Sequence, residues 1–143
     1  MGLFITLTRR KLFIIFLIIV LSLSIIVKVS SVGTNMPDGS TNQKRVLYLK
    51  SKGISAEDSD VFSKEITIPE EFTSVYNNYN VLQKTAGFDL SDYKGKNATL
   101  YTYPVYGTTE VHLIVYNGVI IGGDIADTRY GEKMKPLDNK KGK

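Results

Sequence analysis

His112 is the only histidine in the chain, and Asp124 and Asp127 follow it closely. A histidine with carboxylates is a minimal kit for hydrolysis, one group moving the proton and another orienting it. The rest of such a kit is absent from the sequence. No serine stands in a G-x-S-x-G elbow, and a metal site would need a second histidine at ligand spacing. Asp124 and Asp127 could act as a general acid and base, but acids at a strand end more often cap turns. Gly122-Gly123-Asp124 resembles a phosphate loop, which requires glycines between a strand and a helix start. Here the glycines lie within a hairpin strand, where a bulge or close packing is expected. A non-enzymatic protein without metal or cofactor is therefore expected. The alternatives are an envelope hydrolase using Asp124, Asp127 and His112, and a structural scaffold subunit that assembles by strand addition at an edge.

Tyrosine is the other unusual residue, with 9 copies and no tryptophan. Tyrosine offers an apolar body and a polar tip, which suits recognition surfaces. Tyr101, Tyr103 and Tyr116, with His112 and Asp124, form the candidate binding surface. The competing reading is a plain amphipathic sheet face.

Positioning these residues requires a small α+β domain in the order α-β-α-β-β-β. The spacing predicts a short helix capped by Ser40 or Thr41, carrying Val46, Leu47 and Leu49 and ending at Gly53. Val61 to Ile68 alternates as a half-buried strand, with Lys64 marking an edge. Pro69 is expected to open the main helix, with Phe72, Val75, Tyr76, Tyr79, Leu82 and Ala86 on its apolar face and Gly87 as its stop. Strands follow at Ala98 to Val105, Glu110 to Tyr116 and Val119 to Ile125. Asn117-Gly118 is a strong hairpin signal. A four-residue turn at Tyr106 to Thr109 would oppose Tyr103 to His112. Leu100, Thr102, Val111, Leu113, Val115, Ile120 and Gly122 would then share one face, and Tyr101, Tyr103, His112, Ile114, Tyr116, Ile121 and Gly123 the other. An antiparallel sheet of about four strands with helices on one face is expected.

Before this domain lies an apolar run, Leu12 to Val27, preceded by Arg9, Arg10 and Lys11. Extended to Val29, it reaches the length a spanning helix needs, roughly 20 residues with a lower limit near 17. The basic flank favours an inside amino terminus and an exported carboxyl terminus. A cleaved signal peptide, leaving a secreted protein, is the alternative. The predicted organisation is a cytoplasmic segment 1–11, a transmembrane helix 12–29, a linker 30–41, an exported domain 42–138 and a disordered tail 139–143. Setting aside Arg9, Arg10, Lys11 and Lys28 leaves 14 Lys and Arg against 14 Asp and Glu. The net charge of +4 is thus topogenic, and no nucleic-acid partner is expected. With no cysteine, disulfides, thiolate catalysis and a lipoprotein anchor are excluded.

Several stretches carry a resemblance: Ile68-Pro69, Phe72, Val75-Tyr76, Tyr79-Asn80 with Leu82-Gln83-Lys84, Gly87-Phe88-Asp89-Leu90-Ser91, Tyr93, Gly95-Lys96, Tyr101-Thr102-Tyr103 and Ile121-Gly122-Gly123-Asp124. Together the chain resembles an uncharacterised family of small membrane-anchored proteins from low-GC Gram-positive bacteria, a domain of unknown function. The charged Gly131-Glu132-Lys133-Met134 departs from the family's more apolar end. The resemblance implies a location and a fold and brings no activity. The expected partners are the membrane, through Leu12 to Val29, and an envelope protein or wall component.

Overall fold

The computed structural model describes residues 36–56, 61–129 and 133–137. The expected cytoplasmic segment, membrane span and tail lie outside the described residues, as does the first half of the expected linker. No helix among the described residues is long and apolar enough to cross a membrane. The compact unit containing them starts at Met36. The end of the expected linker is therefore part of the fold: Gly39 N–H donates to Gly118 C=O (2.8 Å) and Ile120 N–H to Pro37 C=O (2.9 Å).

Helix α1 spans Asn42–Ser51, where the Thr41 hydroxyl accepts from Lys44 N–H and caps it. Strand β1 (Phe62–Thr67) comes next. Helix α2 spans Ser74–Thr85, capped by Thr73, whose hydroxyl accepts from Tyr76 N–H. It starts later than Pro69 predicts because Thr73 supplies the side-chain acceptor that proline lacks. Val75 consequently points outward, 77% exposed. A 3₁₀ turn at Leu90–Tyr93 leads to β2 (Asn97–Pro104), β3 (Thr109–Tyr116), β4 (Val119–Asp127) and a short β5 (Lys135–Pro136). The strands form one antiparallel meander in sequence order, with β1 at an edge as Lys64 suggested. The fifth strand is an addition to the expected four; with two residues and a proline it carries no alternation to read.

Two local features set the register. Asn117 (φ 48°) and Gly118 (φ 77°) make the two-residue turn as expected. The β2–β3 connection is tighter than expected, closing with Val105 N–H on Thr109 C=O (2.9 Å) around Gly107 at φ 68°. Tyr103 therefore opposes Val111, and Thr102 opposes His112. That slip by one residue moves Tyr101 and Tyr103 to the face of Val111, Leu113 and Val115. Farther along, a bulge at Ile114/Val115 shifts β4, so that His112 opposes Asp124 instead of Gly123.

Both faces of the sheet are consequently apolar, and each needs cover. Leu49 and Val46 of α1 pack with Tyr103, Val111, Leu113, Val115 and Ile120. Phe72, Tyr76 and Tyr79, before and within α2, pack with Ile114, Ile121, Leu90 and Ile68 on the other side. The expectation of helices on one face is corrected: they lie on opposite faces, because Val111/Leu113/Val115 and Ile114/Ile121 project to opposite sides.

Gly122 and Gly123 sit in mid-strand and serve close packing. A Cβ on Gly123 would lie 2.3 Å from the His112 carbonyl oxygen and 2.5 Å from Leu137 Cδ1. Gly123→Ala should therefore destabilise by about 1–3 kcal/mol or more, as overpacking does. Gly87→Ala, with open space at φ +88°, should lose only about 1–2 kcal/mol from backbone strain. Denaturant unfolding of the two variants checks the order.

Candidate functional site

The predicted binding residues divide between the two faces. Tyr101 and Tyr103 lie beneath α1, and Tyr103 is fully buried. Their shared surface is occupied from within by Arg45, whose guanidinium carbon sits 3.6 Å from the Tyr101 ring centroid. Arg45 Nε donates to Tyr103 Oη (2.8 Å), and Nη1 donates to Gly39 C=O (2.8 Å). Tyr103 in turn donates to Asn42 Oδ1 (2.8 Å). Among the described residues Arg45 forms no ion pair, so ring quadrupole and neutral acceptors hold its charge. Sequence reasoning missed Arg45. Its one available signal is that Arg45 and Leu49 share a helix face at i, i+4, and both are buried.

His112, Tyr116 and Asp124 lie on the α2 side. Tyr116 packs edge-on against Tyr93, with centroids 5.6 Å apart. Asp124 is 2% exposed and uses both carboxylate oxygens: Oδ1 meets His112 Nδ1 at 2.9 Å, and Oδ2 accepts from Tyr79 Oη at 2.7 Å. The second ring nitrogen of His112 faces Glu110 at 3.8 Å. The hydrogen bond to Asp124 holds the His112 pKa above its usual 6.5; burial works against it, and the charges of Asp124 and Glu110 add to it. Burial, with Asp124 beside it, pushes the Tyr79 hydroxyl far above its usual 10, so it remains a donor. Asp127 is turned elsewhere, toward Arg129 Nη2 (2.6 Å) and Thr108 Oγ1 (2.9 Å).

This arrangement bears on catalysis. With Asp124 hydrogen-bonded to Nδ1 and Glu110 3.8 Å from Nε2, the site favours the protonated imidazole. Among the described residues no group of three or more His, Asp or Glu side chains is placed to hold a metal ion.

Helix α2 is tied down at three further points. Gln83, fully buried, accepts from Gly123 N–H (2.7 Å). Asn80 donates to Asp89 Oδ1 (2.9 Å) and accepts from Leu90 N–H (2.8 Å). Lys84 pairs with Asp89 at 3.0 Å. The Ser91 and Asn80 hydrogen bonds hold the Asp89 carboxyl well below its usual range. Beside α2 lies an open groove of about 500 Å³. Val75, Tyr76, Tyr79 and Leu82 form one wall, and Lys133 and Met134 the other.

The stretches that carried the family resemblance thus meet in space. Tyr79, Asn80, Gln83 and Lys84 reach Asp124, Asp89 and Gly123, while Tyr101 and Tyr103 hold α1. The family described as Domain of unknown function (DUF4830) matches residues 48–125. The chain belongs to that family. Within DUF4830 the matched region starts in α1 and runs into β4, taking in both tyrosines and the Asp124 network. No curated protein and no solved structure matches the chain.

Tyr79→Phe should cost about 1.5–3 kcal/mol, the range for a hydrogen bond to a charged group, measured by thermal or denaturant unfolding. The single histidine gives one unambiguous imidazole titration by NMR. Its midpoint should lie above 6.5 and fall in Asp124→Asn. A raised folded pKa places the His112 contribution to stability fully below the unfolded value of 6.5. It should be lost as pH rises through the folded midpoint.

Proposed function

We propose that this DUF4830 protein is a membrane-anchored, non-enzymatic domain exposed outside the cytoplasm, which captures a protein segment in the α2 groove. The segment carries an apolar face with an acidic residue beside it. The observation that carries this reading is the groove itself, apolar along Val75, Tyr76, Tyr79, Leu82 and Met134 and bearing, among the described residues, a cation, Lys133, and no carboxylate. Val75 is 77% and Met134 51% exposed, and methionine and tyrosine suit adaptable interfaces. The apolar run Leu12 to Val29 with its basic flank supports the anchor.

An envelope hydrolase using His112, Asp124 and Asp127 is supported less. His112 and Asp124 are committed to each other and to Tyr79, and Asp127 to Arg129.

Two measurements test the proposal. Protease added to intact protoplasts should remove the carboxyl-terminal domain; protection until lysis overturns the topology. Photo-crosslinkers placed in the full-length protein at Val75 and Leu82 should capture a protein segment of the stated chemistry. A synthetic peptide of that segment should bind the domain, at least tenfold more weakly in Lys133→Glu. Crosslinks confined to lipid or to a second copy of this chain, or peptide binding insensitive to Lys133, would overturn the docking assignment.

A further inference from the structure

The wall of the groove is fastened to the sheet through a titratable group. Tyr79 belongs to both: its ring lines the groove, and its hydroxyl donates to Asp124. Asp124 is almost wholly buried, and its nearest cation is the His112 ring, whose side chain is 17% exposed. Groups facing the His112–Asp124 pair come from β3, β4 and α2, and β5 sets Pro136 opposite Asp124. Asp124 comes from β4, Glu110 from β3 and Tyr79, with Tyr76 edge-on behind it at 5.8 Å, from α2. Thr102 on β2, directly opposite, is neutral. Two carboxylates and one imidazole therefore meet at the seat of α2.

We propose that His112, Asp124 and Tyr79 form a proton-controlled latch on α2. With His112 protonated, the imidazolium balances the buried Asp124 carboxylate, which clamps the helix through Tyr79. When the proton leaves to solvent, by way of the partly exposed ring edge facing Glu110, the carboxylate is left without a balancing charge in a site that excludes water. An uncompensated buried charge is strongly unfavourable, so α2 loosens and the groove loses one wall. Capture is therefore strongest on the acid side of the His112 midpoint. The effect on capture rests on the groove being the docking surface; the latch itself does not.

Hydrogen exchange on the intact domain, followed from about pH 6 to about pH 9 and corrected for the intrinsic rate, reads the latch without any partner. Amides of α2 should lose protection several-fold as His112 titrates by NMR, while β3 and β4 keep theirs. In His112→Gln the pH step should vanish. In Tyr79→Phe the His112 titration should persist, but α2 protection should no longer follow it. Uniform loss of protection across helix and sheet, or a pH step that survives His112→Gln, would overturn the latch. Should either variant fail to fold, the wild-type comparison of α2 with β3 and β4 still decides. Failure of the peptide to bind at any pH would instead count against the groove.

Discussion

A single buried carboxylate organises one whole side of this domain. Asp124 lies deep enough that it must be balanced and hydrogen-bonded, and its two oxygens do this with a ring from β3 and a hydroxyl from α2. The bulge in the β3–β4 pair is the geometric cause. Without the extra residue at Ile121, His112 would oppose Gly123 and Asp124 would face the α1 side. The bulge thus converts two residues separated along a hairpin into a contact, and the contact fixes the helix above. Gln83, reaching the Gly123 amide, and Asn80, bracing the turn at Asp89 and Leu90, extend the same fastening.

The sequence elements were legible where local chemistry decides them. Thr41 and Gly53 bound α1, Gly87 (φ +88°) stops α2, and Asn117-Gly118 makes its turn. Lys64 marks an edge strand that has a neighbour on one side only. What could not be read was register. A three-residue turn around Gly107 and a bulge over Ile121-Gly122 each move pairing by one residue, and a shift of one exchanges the faces. The supposed surface of Tyr101, Tyr103, His112 and Tyr116 was divided by that exchange. The α+β class was unaffected, because it depends on periodicity and not on register. The placement of both helices on one side did not survive, because both sheet faces are apolar enough to need cover.

The family pattern acquires a physical meaning from the same geometry. Tyr79, Asn80, Gln83 and Lys84 are a helix face of polar residues, and two of them are buried. Such a face would be costly without partners, and all but the Gln83 side-chain nitrogen find one. The partners come from the Gly-Phe-Asp-Leu-Ser and Ile-Gly-Gly-Asp stretches, so these separated motifs describe one fastening and not several sites. Sequence alone offered no reason to connect them, since the contacts span 40 residues or more between Gln83 and Gly123 and between Tyr79 and Asp124.

The two helices are held by chemically unlike ties. Arg45 is stacked on Tyr101 and bonded to Tyr103 and a main-chain carbonyl. Its counterparts are an aromatic face and neutral oxygens. The α1 flank is thus seated by stacking and neutral acceptors, whereas the opposite flank rests on a buried carboxylate paired with an imidazole.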